Sequence, residues 1–317
     1  MKQVPSCGEL TGRLSAAARE RMLSVRGEPL FVPDWEEVLM IHYEVDGEAL
    51  QEAVPFELDY REGRAFVTLV AFTLRRMRPW FGGRVSELLF KPISTHEFLN
   101  VRTYVRHDGE TGIFFLAEWL SNKLSVLLGP RFFGLPYRLG FIRYDHRYER
   151  DQLMGAVEDA VGPGRLEYRA CHRQFDLLRT HEKPLETVST ARAEAGTQLK
   201  LGVNESFQPQ GMQSFVSCEA GSIEEWLMER YTAFTCPSPR PSPIRWEREG
   251  RRRFFRVWHQ PWPQVPVEVE IKDQSLLEEN WNFFKEARLI GGNFSPGLRG
   301  VWMGRPHKIQ GAGNLEP

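Results

Sequence analysis

The chain has 317 residues, of which 41% are hydrophobic and 26% are charged, a mixture typical of a folded globular protein. Its 41 basic residues nearly balance its 42 acidic residues, so the net charge of −1 predicts no general attraction to nucleic acid or to an anionic membrane. No stretch approaches the roughly 18 unbroken apolar residues of a membrane span, and the first residues lack the apolar run of a secretory signal peptide.

The predicted elements begin with a surface helix over residues 11–26. A strand over 35–45 follows, because apolar residues recur there at every second position. The strongest strand signal covers 64–78, where both faces are apolar from Phe66 to Leu74. That strand is therefore predicted to be buried on two sides or to lie in a closed barrel.

A β-hairpin comes next in the chain. Strands are predicted over 97–106 and 111–120, and the turn His107-Asp108-Gly109-Glu110 between them is typical of a hairpin. A short helix over 122–132 is expected to break near Gly129.

The second half of the chain continues with strands and two helices. Strands are predicted over 138–148, 165–174, 252–259 and 265–273, and helices over 222–231 and 275–288, the last ended by Gly291-Gly292. Residues 175–212 are polar and weakly patterned, which indicates a long loop, and the tail from 293 should be irregular.

Residues 236–250 differ in composition from their surroundings, with four prolines and a charged end. We interpret them as a tolerated surface-loop insertion, with a Pro-x-x-Pro peptide ligand as the alternative. The domain organisation that follows is a helical extension over 1–32, one β domain over 33–310 that contains this insert, and a tail over 311–317.

The four cysteines indicate neither a metal site nor a disulfide framework. Cys7, Cys171, Cys218 and Cys236 form no Cys-x-x-Cys pair, and no histidine lies at zinc-site spacing from them. We expect free thiols in a reducing compartment, with the cytoplasm as the location. No metal is expected, and no cofactor either, because the glycines near the C-terminus lack a phosphate-binding strand–helix context.

Eight stretches, taken together in their order and spacing, resemble one family. They are HYEVDGEALQEAVPFELD, GRAFVTLVAFTL, EFLNVRTYV, GIFFLAEWLSNKLSV, FGLPYRLG, SIEEWLMERY, HQPWP and FSPG. This set is similar to the YqjF-like proteins, domain-of-unknown-function family 2071, which is grouped with the acetoacetate-decarboxylase-like superfamily. The resemblance covers 33–148 densely, then 220–306 with the proline-rich insert interrupting it. It implies a mainly β (α+β) fold, a closed or nearly closed antiparallel β-barrel or cone with a central cavity and a few peripheral helices.

The resemblance also implies where the decarboxylase lysines would lie. Acetoacetate decarboxylases hold a Schiff-base lysine beside a second lysine in the pattern aromatic/Gly-x-Pro-Lys-Lys, and the matching run here is FGLPYR, residues 133–138. Tyr137 falls where the Schiff-base lysine would be and Arg138 where its partner would be. A phenol cannot form an imine and a guanidinium stays protonated, so the lysine chemistry is not carried over. Tyr137 and Arg138 become candidate ligand-binding residues instead.

Two carboxylates are candidate catalytic residues. Glu97 falls where decarboxylases place a cavity glutamate, so the resemblance implies an acid/base role; the alternative is an exposed carboxylate at a strand end. Glu118 is either a cavity acid or the ion-pair partner of Arg102 on the adjacent strand.

Two further residues of the 97–106 strand are candidate ligand-binding residues. Arg102 could clamp a ligand carboxylate, since a mid-strand arginine is costly to bury unless it is paired. Tyr104 shares its face and could line the same site or belong to the core. Regular alternation places Glu97 on the opposite face from Arg102 unless a bulge intervenes.

Three functional hypotheses remain open. The first is a protein whose barrel cavity binds a small, partly apolar, acidic molecule without lysine chemistry. The second is a lysine-independent lyase or hydratase acting on a keto or enol acid, with Glu97 or Glu118 as the acid/base and Arg138 as the clamp. The third is a structural or partner-binding protein with a filled cavity. A small-molecule ligand is expected as the partner and nucleic acid or a membrane is not; a homo-oligomer is possible.

Overall fold

The structure is a computed structural model, and it describes residues 7–147, 152–172, 215–236 and 252–309. The described strands are β1 (Phe31–Val45), β2 (Glu57–Leu58), β3 (Ala65–Pro79), β4 (His96–His107), β5 (Glu110–Leu120), β6 (Tyr137–Asp145), β7 (Gln152–Asp159), β8 (Arg165–His172), β9 (Thr232–Thr235), β10 (Arg253–Trp258), β11 (Val265–Asp273), β12 (Arg288–Leu298), β13 (Trp302–Met303) and β14 (His307–Lys308). The described helices are α1 (Cys7–Leu23), α2 (Gly47–Ala53), α3 (Gly83–Phe90), α4 (Lys123–Phe133), α5 (Ile223–Met228) and α6 (Ser275–Glu278), with 3-10 helices at Lys91–Ile93 and Asn282–Glu286.

The strands form one sheet that closes on itself along two routes. Strands β1, β3, β4 and β5 pair side by side and antiparallel to form a shared central sheet. One route returns from β5 through β6, β7, β8, β11 and β12 to β1. The other returns from β5 through β9, β10 and β13 to β1. We call the first the large circuit and the second the small circuit.

Each face of the central sheet packs against its own hydrophobic core. Leu69 and Leu99 belong to the core on the large-circuit side, whereas Val70 and Phe98 belong to the core on the small-circuit side. Successive side chains of a strand point to opposite faces, so both faces of β3 must be apolar. The sequence expectation of a strand buried on two sides is confirmed, since every residue of β3 as far as Leu74 is buried.

The expected hairpin between β4 and β5 is also confirmed. Asp108 and Gly109 adopt φ values of 49° and 78°, and a two-residue turn with both φ values positive matches the twist of the strands that it joins. The expected closed or nearly closed antiparallel barrel is confirmed as the fold class, and within it β5 pairs in parallel with both β6 and β9.

The C-terminal part differs from the sequence expectations. The helix predicted over 275–288 is only α6 and a 3-10 helix, and the segment predicted as irregular from 293 contains β13, β14 and the end of β12. Gly291-Gly292, expected to end a helix, lies inside β12. A Cβ atom on Gly292 would lie 2.9 Å from the Met40 carbonyl oxygen and 2.7 Å from a Val269 methyl carbon, so the glycine permits close approach of the neighbouring strands β1 and β11.

Three predictions lie outside the described residues: the loop over 175–212, the tail over 311–317 and, apart from Cys236, the proline-rich insert. The helix predicted over 11–26 is present as α1, which packs on β10, where the Trp258 indole N–H donates to the Ser15 carbonyl at 3.0 Å. Among the described helices, none has the length and apolar character needed to cross a bilayer.

Candidate functional site

The core of the small circuit contains a cavity of about 70 Å³. This volume is several times the roughly 10–15 Å³ that one water molecule needs. Most of its wall is apolar, and Phe72, Phe98 and Phe115 contribute aromatic rings. The polar part of the wall is formed by Asn100, Arg102, Glu118, Tyr137, Arg230, Thr232 and His259. A mainly apolar cavity with a few converging polar groups is the usual form of a small-molecule site.

Strand β4 supplies the first pair of polar groups. Asn100 and Arg102 both line the cavity, while Leu99 and Val101 point into the large-circuit core. This is the alternation that the period of two predicts. Tyr104 shares their face but lies beyond the cavity wall: its hydroxyl donates to the Leu227 carbonyl at 2.9 Å and lies 2.6 Å from the Thr68 hydroxyl oxygen.

Arg102 is a buried cation with no anionic partner. Its side chain is inside the core, where Nη2 donates to the Leu227 carbonyl at 3.3 Å and approaches the Met40 sulfur at 3.9 Å. Nε has no hydrogen-bond acceptor, and no carboxylate of the described residues lies within 4.0 Å of the guanidinium. Burial lowers the pKa of Arg102, because removal from water disfavours the charged form.

Glu118 is a buried acid with no cationic partner. It faces Asn100 on β4 and Tyr137 on β6, so the expected ion pair with Arg102 is not formed. Its Oε2 and the Oδ1 of Asn100 both lack hydrogen-bond partners among the described residues. Burial raises the pKa of Glu118 well above the usual range of a carboxyl group, which favours the neutral, protonated form.

Tyr137 and Arg138, which the sequence placed together, point to opposite faces of β6. The Tyr137 ring lies in the cavity wall, and burial, together with the nearby Glu118 carboxyl, raises the pKa of its phenol. Arg138 lies on the large-circuit side, with its guanidinium 5.1 Å from the Trp119 ring centroid and hydrogen-bonded to the Asn280 side chain. Neighbours on a strand diverge in this way, so only Tyr137 is in the cavity wall.

Glu97 also lies away from the cavity. It is half-buried on the same face of β4 as Leu99, and it accepts a hydrogen bond of 2.5 Å from the Ser121 hydroxyl. The register shift between β4 and β5 follows Val101 and leaves the alternation along β4 intact, so Glu97 and Arg102 stay on opposite faces.

Four polar residues of the cavity wall were not among the sequence candidates: Asn100, Thr232, Arg230 and His259. Arg230, just after α5, forms an ion pair with Asp59 at 3.0 Å and lies 4.4 Å from the Trp226 ring centroid, but its Nη2 has no acceptor among the described residues. His259 stacks on Tyr231 with ring centroids 4.6 Å apart, and burial lowers its pKa. Arg230 lies within the helix predicted over 222–231, whereas the observed helix α5 ends at Met228 and leaves Arg230 in the cavity wall.

The described lining contains no lysine, and the described residues contain no cluster of three His, Cys, Asp or Glu side chains that could hold a metal ion. The polar wall can therefore offer a cation, a neutral carboxylic acid, an amide and a phenol.

Comparison with known proteins identifies both sequence and structural relatives. The model of the DUF2071 family, described as an uncharacterized conserved protein, matches residues 33–286. The uncharacterized protein YqjF of Bacillus subtilis (strain 168) is 34% identical over 247 residues, which cover 77% of this chain and 78% of YqjF.

Solved structures share the fold at low sequence identity. An acetoacetate decarboxylase-like enzyme from Sphingomonas wittichii RW1 has a TM-score of 0.52 and 14% identity, covering 89% of this chain and 93% of that one. The enduracididine biosynthesis enzyme MppR, complexed with pyruvate, has a TM-score of 0.54 and 11% identity, covering 89% and 91%. The acetoacetate decarboxylase of Legionella pneumophila has a TM-score of 0.52 and 12% identity, covering 92% and 95%. These likenesses confirm the expected fold.

Proposed function

This chain belongs to the DUF2071 family, and we propose that its small-circuit cavity binds a small, partly apolar molecule that carries a carboxylate. The observation that carries the proposal is Arg102, a buried guanidinium that lines the cavity without an anion beside it. A buried charge without a counter-charge costs several kcal/mol, on the order of the effective penalty for one desolvated ion. A ligand carboxylate would offset that cost and would match the planar donor geometry of arginine.

The other polar groups suit the remainder of such a ligand. Glu118, Asn100 and Tyr137 occupy neighbouring strands in one row, and all three line the cavity. A neutral carboxylic acid and a phenol donate hydrogen bonds, so a carbonyl or hydroxyl oxygen of the ligand would satisfy them. The aromatic rings of the cavity wall would contact a short apolar portion of the ligand. A volume of about 70 Å³ restricts the ligand to a few non-hydrogen atoms.

The pyruvate complex of MppR supports the ligand class. That protein shares the fold and holds a small keto acid. The presence of a cavity beside Tyr137 also favours a ligand over the alternative of a structural protein with a filled interior.

The binding experiment compares small carboxylates with uncharged analogues. We expect pyruvate or acetoacetate to raise the thermal midpoint and acetone not to, because a ligand that binds only the native state stabilises it. The shift should disappear in Arg102→Met and persist in Glu97→Gln, whose side chain lies on the other face of β4. Equal shifts in wild type and a folded Arg102→Met variant would contradict the proposal.

We propose further that binding forms no imine. By the family resemblance, Tyr137 and Arg138 fall where the decarboxylases carry their lysines, and the described cavity lining has no lysine. Borohydride treatment in the presence of pyruvate or acetoacetate should leave the protein mass unchanged. A covalent adduct would show that a lysine reaches the cavity, and the peptide that carries the adduct would identify it.

A lysine-independent lyase or hydratase is the second candidate. Its support is Glu118, which lines the cavity, whose Oε2 has no hydrogen-bond partner among the described residues and whose raised pKa favours the protonated acid. If mass spectrometry shows that a stabilising ligand is converted, Glu118→Gln should abolish conversion and retain binding. If the wild-type protein binds the ligand but does not convert it, the enzyme hypothesis is rejected and the binding function is retained. A cytoplasmic location remains part of the proposal.

A further inference from the structure

The segment after β3 exposes a group of large apolar side chains. The exposed fraction is 52% for Trp80, 67% for Phe81, 71% for Val85, 70% for Leu88 and 74% for Leu89. The last three lie at positions i, i+3 and i+4 of α3 and therefore share one face of the helix. We call these five residues the apolar ridge. Large apolar side chains that are exposed together, rather than scattered singly over a surface, often mark an interaction site.

A cleft with an excess of positive charge lies beside the apolar ridge. It has a volume of about 640 Å³, and its charged lining residues are Arg76, Arg78, Lys91 and Arg299 with Asp34 and Glu87. Glu87 belongs to α3 and Lys91 follows it directly, so the cleft and the ridge are two sides of the same helix. We call this the basic cleft.

Two of the cations in the basic cleft are available to an external anion. Arg76 pairs with the buried Asp34, and Arg78 donates to the Val32 and Arg76 carbonyls. Lys91 and Arg299 are exposed, and the side chains of the described residues offer them neither a hydrogen bond nor an ion pair. The cleft therefore carries positive charge that the protein itself does not neutralise.

We propose that this face docks the protein onto an anionic lipid bilayer, with the apolar ridge inserted at the interface and lipid phosphates in the basic cleft. Aromatic and leucine side chains beside basic residues are the composition of interfacial membrane anchors. A second copy of the chain is the less favoured occupant. In a twofold contact centred on α3, the unneutralised cations of the two basic clefts would approach each other and repel, whereas lipid phosphates would neutralise them. The proposal does not depend on the cavity function, and it departs from the sequence expectation of no membrane partner because the charge of this one face, rather than the net charge, would attract lipid phosphates.

Vesicle co-sedimentation of the full chain tests the proposal. We expect binding to phosphatidylcholine vesicles that contain phosphatidylglycerol and little binding to phosphatidylcholine alone, with the difference reduced by salt. Lys91→Glu with Arg299→Glu, and separately Leu88→Ser with Leu89→Ser, should each weaken binding by about tenfold or more. All four side chains are exposed, so the variants should melt like the wild type.

Val161→Ser is the matched control, because Val161 is 94% exposed but lies in the turn between β7 and β8. It should bind vesicles like the wild type. Three results would overturn the proposal: no binding to either vesicle type, equal weakening by Val161→Ser, or light scattering that shows a dimer disrupted by the Leu88 and Leu89 changes without vesicle binding. The last result would assign the apolar ridge to self-association.

Discussion

At the scale of single residues, the cavity wall holds one buried cation and one buried acid that do not neutralise each other. Arg102 and Glu118 lie on adjacent strands, and the sequence allowed them to pair. The register instead faces Glu118 with Asn100 and Arg102 with Phe115. The protein thereby keeps a positive group and a proton-carrying group in the same apolar space, where both are available to a bound molecule.

We expect Glu118→Gln to stabilise the ligand-free protein at neutral pH. Burial raises the pKa of Glu118 well above its ordinary value of 4.5. The folded state therefore keeps a proton that the unfolded chain releases, and stability is fully present below pH 4.5 and is lost as pH rises through the folded-state pKa. The amide cannot ionise, so the variant should gain about 1–3 kcal/mol near pH 7.

Urea unfolding of both proteins between pH 4.5 and about pH 8 measures this gain, which should grow with pH. Glu97→Gln provides the comparison, because it removes a carboxylate that accepts a hydrogen bond from Ser121 and should bring no such gain. A difference between Glu118→Gln and wild type that does not change with pH would contradict a protonated Glu118.

At the scale of elements, alternation along each strand decides which side chains share a site. It places Asn100 and Arg102 together and Glu97 apart from them, as the period of two predicts. The same rule separates Tyr137 from Arg138, although the family resemblance suggested a joint role. The family resemblance identified Tyr137 and Arg138 as candidates. The alternation along β6 then places Tyr137 on the small-circuit side and Arg138 on the large-circuit side.

The Tyr137 ring packs against helix α4 at Gly129, where the absence of a side chain leaves room for the ring. A Cβ atom on Gly129 would lie 2.0 Å from a ring carbon of Tyr137, so the ring lies directly against the helix backbone. Gly129→Ala should therefore destabilise the protein by about 1–3 kcal/mol through overpacking, and it should displace Tyr137 from the cavity wall. Thermal unfolding measures the first effect, and weaker carboxylate binding measures the second.

Gly12→Ala in α1 is the matched control, because nothing lies within 4 Å of the position of its Cβ atom. There the ordinary preference of a helix for alanine should stabilise the protein by up to about 1 kcal/mol. Stabilisation by both substitutions would show that the Tyr137 ring can move away from α4 without cost.

At the scale of the whole molecule, buried neutral histidines predict sensitivity to mild acid. Burial lowers the pKa values of His42, His96 and His146 from 6.5 to about 4. The stability linked to each histidine is present above pH 6.5 and is lost as pH falls through about 4. In that range the unfolded chain binds a proton on the histidine and the folded state does not, so acid favours unfolding. Between pH 7 and pH 5 the loss should be about 2 kcal/mol for each.

His146→Gln isolates one of these contributions. The His146 Nε2 atom lies 2.8 Å from the Tyr168 hydroxyl oxygen, and its Nδ1 atom lies 2.9 Å from the Glu37 carbonyl oxygen. A glutamine side chain can also form hydrogen bonds with both of these groups. The free energy of unfolding of this variant should fall less steeply between pH 7 and pH 5 than that of the wild type. Identical slopes would contradict a neutral, buried His146.

Local pattern predicted much of this fold and part of the site. The two-sided apolar run of β3, the hairpin turn at Asp108-Gly109 and the shared face of Asn100 and Arg102 all follow from residue types and spacing. Strand β7 had no such signal, since Gly155 interrupts it. A Cβ atom there would lie 2.2 Å from the Tyr168 ring, so the ring of the neighbouring strand fills the space of the missing side chain.

The sequence by itself determined the strands, their faces and the absence of lysine from residues 133–138, because these depend on neighbours along the chain. Only the tertiary structure decided that β5 divides its pairing between β6 and β9, which creates two interiors from one sheet. It also decided that Arg230 and His259 join the cavity wall and that Arg138 does not. These outcomes depend on contacts between segments far apart in the chain, which local periodicity does not encode.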